Sequence, residues 1–198
     1  MHRPVRRLAQ LYAGLVLYGA SMALQVRAGL GLDPWDVFHQ GVADRTGLSF
    51  GTVVMLTGAV VMLGWVPLRQ RPGVGTISNV LVIGIAVDAA LALLPRAAST
   101  PIAVAMLIAG VGFSGVACSA YIGAGLGPGP RDGVMTGLVR RTGGSVRVVR
   151  TAIELTVLAV GVALGGTVGV GTVVYALSMG PLVHVLLPRL TVASAHAN

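Results

Sequence analysis

A stretch that the chain contains twice restricts its fold more than any other feature. Residues 29–49 read GLGLDPWDVFHQGVADRTGLS, and residues 125–145 read GLGPGPRDGVMTGLVRRTGGS. At a constant offset of 96 the two are identical at 10 of 21 positions, among them Pro34/Pro130, Asp36/Asp132, Arg45/Arg141 and Thr46-Gly47/Thr142-Gly143. Without a gap, the same offset aligns 73–76 with 169–172, both GVGT, and pairs Gly14 with Gly110 and Gly19 with Gly115. The chain is therefore a tandem duplication within one domain over 1–198, with repeat 1 at about 8–95 and repeat 2 at about 101–190.

The segments flanking the repeated stretch are apolar. Hydrophobic residues make up 55% of the chain and charged residues 10%, against the quarter or so that a soluble domain carries. Mean hydropathy is +0.85. These values predict an all-α membrane protein. Six segments are long enough to cross a bilayer: residues 8–26, 50–68, 74–94, 101–124, 150–170 and 172–187. Arg3, Arg6 and Arg7 before the first of them resemble a signal peptide. That segment aligns with one in mid-chain, however, so it reads as a retained span.

The repeated insert reads as a short helix after the first span of each half. Pro34 and Pro130 suit a first helical position, where the missing N–H costs nothing. Asp33 is placed to cap the first helix, with Gly129 in the corresponding place, and Asp36 and Asp132 sit near the positive end of the helix dipole. Thr-Gly then supplies a stop, and Ser49 and Ser145 cap the next span of each half. About 12 residues at 1.5 Å each give roughly 18 Å, too short to span. The spacing leaves open whether the helices 34–46 and 130–142 lie in the interface or dip in as re-entrant half-helices.

Three spans per half turn the second half upside down relative to the first. With the N-terminus inside, eleven arginines (3, 6, 7, 69, 71, 131, 140, 141, 147, 150, 189) fall on the inner side and three (27, 45, 96) on the outer. That bias places both termini in the cytoplasm of a bacterial inner membrane. An eight-span count would give 10 against 4, so the insert's length and polarity, more than charge, select six. The expectation is two inverted three-helix repeats, an arrangement met in secondary transporters. The net charge of +8, all arginine with no lysine, lies in loops, where it meets anionic lipid and calls for no nucleic acid.

Ionisable groups inside spans carry the functional expectations. Asp88 lies deep in the third span, and the offset puts His184 of the sixth at the equivalent place, an acid and a base suited to a proton relay or a polar solute. Asp36 and Asp132 would face a central path as paired carboxylates. Glu154 follows Arg150 by one turn, which suits a local pair or, in the alternative, a role toward a substrate or proton. Asn79 completes the cap at Thr76 or lines a polar path. Arg45 and Arg141 close the short helices near their negative ends and are candidates for an anion or a lipid headgroup. Trp35 and Trp65 read as interfacial anchors. Gly110/Ser114/Cys118 and Gly115/Ser119/Gly123 favour close helix packing. The lone Cys118 excludes an internal disulfide. The sequence has no zinc set, catalytic triad, Walker loop or dinucleotide fingerprint, so neither an enzyme nor a metal or other cofactor is expected.

The run 31–36, with 47–52 (GLSFGT), 71–76 (RPGVGT), Asn79 and Asp88, resembles the YczE-like branch of the YitT-type bacterial membrane proteins. The second half, at 125–132 and 169–172, is similar. The resemblance covers nearly the whole chain and implies a small multi-spanning inner-membrane protein, without an activity. Two departures stand out. Leu32-Asp33 intervenes before Pro34 where the motif reads Gly-Pro-Trp-Asp, and Arg131 stands in the second half where the first has Trp35. The leading expectation is a secondary transporter or permease of a small solute. The competing expectations are a membrane-embedded binding subunit that needs a partner energiser and a non-transporting scaffold. A homo-oligomer or a partner subunit fits any of the three.

Overall fold

Glycine decides how the two longest helices meet in the computed structural model, which describes residues 3–192. Helix α1 (Arg3–Ala28) and helix α5 (Thr100–Gly123) lie against each other. Gly14 faces Ala117, Ala120 and Tyr121, while Gly110 faces Ser21, Leu24 and Gln25. The early part of each helix thus meets the late part of the other, and the two run antiparallel. The contacts are themselves repeated, since Ser21, Leu24 and Gln25 plus 96 are Ala117, Ala120 and Tyr121. Polar groups lie in this seam. Ser21 Oγ is 2.8 Å from Ser114 Oγ, Gln25 Nε2 donates to Ser114 Oγ at 3.1 Å, and Gln10 Nε2 donates to the carbonyls of Ala120 and Leu190.

Helix α4 (Val74–Leu93) packs on α1 where Gly19 meets Ile83, Ala86 and Val87. Helix α8 (Val170–Leu190) packs on α5 where Gly115 meets Leu182, the counterpart of Ala86. Both begin with a capping arrangement in which glycine is the cap. The hydroxyl of Thr76 accepts from Gly73 N–H, and that of Thr172 from Gly169 N–H, each at 3.2 Å. The threonines act from the third helical position, and the cap expected at Thr76 belongs to Gly73.

The short helices α2 (Pro34–Thr46) and α6 (Pro130–Thr142) have the expected bounds, each ending on a left-handed glycine, Gly47 at φ 73° and Gly143 at φ 68°. Helices α3 (Phe50–Leu63) and α7 (Val146–Ala163) come next in each half. Each short helix crosses the far end of the long helix that follows the other one. Arg45 donates to the carbonyls of Ala163 and Leu164 at the end of α7, both at 3.0 Å. Arg141 donates at 3.4 Å to Pro67, the repeat counterpart of Ala163. Trp65 Nε1 donates to the Pro130 carbonyl at 3.0 Å, and its ring fills the notch at Gly133. The connecting backbones are clasped the same way: Gly171 N–H donates to Leu30 O at 2.7 Å, and Gly75 N–H to Leu126 O at 2.8 Å.

The described residues form eight helices and no strand, and three of the helices (α4, α5, α8) are long and apolar enough to cross a membrane. Together α2 and α3 pass the same test as a fourth, bent by 115°. The segments expected at 8–26, 50–68 and 150–170 fall short individually for identifiable reasons. In α1, Gln10, Gln25, Tyr12 and Tyr18 dilute the hydropathy, and all four hydrogen-bond to other helices. Helix α3 stops at Leu63, and turns then lead to Arg69, whose φ of 50° closes the segment. Helix α7 begins at Val146, a turn before the expected start, and ends before Gly165-Gly166, so its 18 residues take in three charged side chains, Arg147, Arg150 and Glu154. The chain's two ends, assigned above to the cytoplasm, lie outside the described residues.

One seam differs between the halves. Helix α3 packs along α4, and no comparable packing joins α7 to α8. Gly51 and Gly84 let the first pair approach, and Asp88 fastens it by accepting from Ser49 Oγ at 2.5 Å and Gly51 N–H at 2.7 Å. The counterparts of Gly51, Gly84 and Asp88 are Arg147, Gly180 and His184.

Candidate functional site

The helix-start rules that shape the inserts also aim them, because the first turns of α2 and α6 come together inside the molecule. Trp35 and Arg131 occupy the same position in the two repeats, and here they meet, with the guanidinium 4.9 Å from the centre of the indole. Such a cation over an aromatic face is favourable by about 0.5–2 kcal/mol, more as water is excluded. Arg131 also lies 3.9 Å from Asp33 Oδ1. Asp33 is buried because it caps α2, accepting from Trp35 N–H at 2.9 Å and Asp36 N–H at 3.1 Å. At the start of α6 the cap is Gly129, which has no side chain to accept from the corresponding amides of Arg131 and Asp132. One insert therefore arrives with its dipole already answered by a carboxylate. The other has Asp132 in its first turn but no side chain at the cap, and an arginine beside it.

Around this meeting point is a cavity of about 400 Å³, within the range of small-molecule sites. Tyr18, Tyr121 and Tyr175 line it with Asn79, Cys118 and Met179, and α7 adds Arg147, Arg150 and Glu154. The hydroxyls of Tyr18 and Tyr175 are 3.3 Å apart, and Tyr121 donates to Asp132 Oδ2 at 3.1 Å. Arg150 Nε donates to Glu154 Oε1 at 2.9 Å. Arg131, paired at long range with Asp33 and stacked on Trp35, makes no hydrogen bond among the described residues. Three arginines and three carboxylates line the space, a balanced wall in which Arg131 faces Asp33 and Arg150 bonds Glu154.

Behind Trp35 the start of α2 holds a second polar pair. Asp36 and His39 are almost wholly buried, at 1% and 2% exposure, with His39 Nδ1 3.0 Å from Asp36 Oδ1. Phe38, Phe50 and Trp35 surround the imidazole, and Asp36 Oδ2 has no partner. A space of about 30 Å³ reaches His39 and shares Trp35, Asn79 and Arg131 with the main cavity.

The expected site residues divide into three groups. Asp132, Glu154 and Asn79 line the cavity, and Asp36 lies immediately behind it. Asp88 and His184 are not brought together: Asp88 fastens the start of α3, and His184 is exposed on α8 with no hydrogen bond among the described residues. Arg45 and Arg141 hold helix-end carbonyls. The tryptophans differ from the expectation of interfacial anchors. Trp65 is 2% exposed and wedged between α3 and α6, while Trp35 faces the cavity. The reading from sequence missed Arg131, Asp33, His39 and the three tyrosines as site residues. The signal for Arg131 was present as the one departure in an otherwise shared Pro-x-Asp motif. No group of three or more metal-ligating side chains is gathered among the described residues.

Comparison with known proteins gives the chain its relatives. Residues 5–188 match a family of unknown function, DUF6198. An uncharacterized protein of Haemophilus influenzae is 36% identical over 177 residues, 89% of this chain and 81% of that one. The uncharacterized membrane protein YczE of Bacillus subtilis is 33% identical over 182 residues, 90% of this chain and 84% of its own. The uncharacterized protein YyaS of Bacillus subtilis is 22% identical over 182 residues, 88% of this chain and 89% of its own. No solved structure matches. With family coverage over nearly its full length and a third of its residues shared with YczE, this all-helical membrane protein belongs to the DUF6198 family, in its YczE-like branch.

Proposed function

We propose that the protein is a secondary transporter of a small solute carrying an anionic group, held at Arg131 in the cavity between two inverted repeats. In this reading α1, α3, α4, α5, α7 and α8 cross the inner membrane, both termini face the cytoplasm, and α2 and α6 are re-entrant. The antiparallel meeting of α1 with α5 supports the inversion, since repeat-related helices that run in opposite directions belong to halves of opposite orientation. The recurrence of the Arg45/Arg141 and Leu30/Leu126 contacts at the same offset supports it further.

The observation that carries the functional reading is the guanidinium of Arg131, which makes no hydrogen bond among the described residues, beside a start of α6 that has no capping side chain, at the meeting of two half-length helices. Short helices whose starts converge at the repeat interface are a recurring way of building an anion site inside a membrane. The wall as a whole, balanced at three arginines and three carboxylates, fits a zwitterion or a monoanion better than a polyanion. The bilayer is the protein's constant partner in this reading. Neither an enzyme, a cofactor nor a nucleic acid enters it.

The test uses purified full-length protein and a panel of small monoanions and zwitterions, read first by thermal stability in detergent and then by counterflow in proteoliposomes. A ligand at a hundred times its Kd adds about 2.7 kcal/mol. The expected result is a shift in the wild type that disappears in Arg131→Ala, and counterflow of the same compound. A compound that stabilises both proteins equally, or a panel with no active member, removes the proposal.

A further inference from the structure

The two halves are each other's control, and the seam at which they part company lies at the wall of the cavity. In the first half, three features hold α3 to α4. Gly51 and Gly84 let the backbones approach, Met55 fills the space at Gly84, and Asp88 bonds the start of α3. At an offset of 96 each has been replaced or left without its partner: Gly51 by Arg147, Met55 by Thr151 and Asp88 by His184, while Gly180 keeps the place of Gly84 with nothing within 4 Å of a side chain built there. A fourth change accompanies them. Ile85 corresponds to Pro181, inside α8, where the ring removes a backbone hydrogen bond and weakens the helix at the level of the open seam.

The result is a slot between α7 and α8 that leads into the cavity. Arg147, Arg150, Thr151 and Glu154 line it from α7, and Tyr175, Ala176, Met179 and Gly180 from α8. Its two ends differ in chemistry. The end near the start of α7 is basic, and Arg147 has neither a hydrogen bond nor an ion pair among the described residues. The same two helices also carry exposed apolar side chains, Leu155 on α7 and Leu177 on α8. An opening of this kind in an apolar flank faces lipid, not water.

We infer that the slot is a lateral portal, and that the solute is an amphiphile with an anionic phosphate-bearing headgroup which enters from the bilayer. The headgroup meets Arg147 and Arg150 at the mouth and Arg131 inside, while the acyl part stays along the apolar flank of α8. On the topology proposed above, the mouth lies at the inner leaflet. The inference rests on reading the cavity as a solute site, and it names the class of solute and the route.

The experiment uses the two tryptophans as reporters. Trp35 lines the cavity, whereas Trp65 is buried between α3 and α6, so the signal lost in Trp35→Phe is that of the cavity. Full-length protein is placed in vesicles containing phosphatidylglycerol or phosphatidylcholine brominated in mid-chain. Brominated phosphatidylglycerol is expected to quench the Trp35 component more strongly than brominated phosphatidylcholine at the same mole fraction. Arg147→Gln, an exposed position that does not threaten folding, should lower the apparent preference for phosphatidylglycerol roughly fivefold. Gly180→Leu, which fills the slot, should abolish the preference.

Equal quenching by the two lipids, or quenching untouched by both variants, overturns the portal. So does protection of Trp35 by soluble glycerol 3-phosphate as effective as that by the lipid, since the headgroup would then arrive from water. Solute binding at Arg131 without lipid quenching discards the portal and leaves the cavity reading standing. Quenching without any counterflow keeps the portal and discards transport.

Discussion

Substituting alanine at Gly84 and at Gly180 asks the same question of two repeat-related positions and should receive opposite answers. At Gly84 the new Cβ would lie 2.6 Å from the Gly51 carbonyl and against the Met55 side chain. Methionine can yield, but a backbone carbonyl on a neighbouring helix cannot, so α3 must move away from α4. Overpacking of this kind costs about 1–3 kcal/mol. The movement also lengthens the bonds from Asp88 to Ser49 and Gly51, and a hydrogen bond to a charged group contributes about 1.5–3 kcal/mol when intact. Replacing glycine by alanine in a helix returns about 1 kcal/mol. The net is a loss of roughly 2 kcal/mol, or about 4–8 °C in Tm for a chain of this size.

At Gly180 a side chain meets nothing within 4 Å. The helix-propensity gain is reduced by the following Pro181, which crowds a Cβ on the preceding residue, and the expected change is within about 1 kcal/mol of zero. The assay is a melt of the detergent-purified protein, followed by tryptophan fluorescence and by the monomer peak in size exclusion. Equal losses at the two positions would refute the reasoning, because they would mean that α7 and α8 are packed as closely as α3 and α4.

Three further predictions concern parts that are not interchangeable. Trp65→Ala empties the notch at Gly133 and removes the indole donor to the Pro130 carbonyl, and a loss of about 3–5 kcal/mol is expected in the same melt. Asp88→Ala removes the fastening of α3 and should cost about 1–3 kcal/mol while leaving ligand shifts at Arg131 unchanged; lost binding at normal stability would return Asp88 to the pathway. In a Cys118→Ser background, Asp44→Cys and Arg140→Cys place thiols at exposed, repeat-related sites on α2 and α6. A membrane-impermeant maleimide should label them from opposite sides of the membrane, and labelling from one side would end the inverted topology.

The parts of the molecule legible in its sequence were those that obey local rules. Proline at the first helical position and Thr-Gly at the end set both short helices to the residue, with Asp33 capping the first, and the offset of 96 paired them. The positions that local rules leave free were misread. Trp65 looks like a membrane anchor because tryptophan favours interfaces, but its place is set by a glycine 68 residues away that makes room for its ring. Asp88 looked functional because a carboxylate in an apolar helix is expensive; the helix start it caps lies on another element. The polar side chains of α1, passed over when 8–26 was read as a span, find their partners on α4, α5 and α8. Arg131 was flagged by the duplication and by nothing else, since no rule of spacing says that an arginine and a tryptophan at equivalent positions will stack.

The crossed clasp at Leu30 and Leu126 has a consequence for biogenesis. The carbonyl of Leu30 waits for the N–H of Gly171, and Arg45 waits for the carbonyls of Ala163 and Leu164, so the first insert has its partners only when most of the chain has left the ribosome. Until then its bent backbone must be sheltered by water, lipid headgroups or insertion machinery. The second insert, by contrast, finds Gly75, Trp65 and Pro67 already made. The gene order thus gives two structurally equivalent elements unequal histories, with the later half acting as the template on which the earlier half is completed.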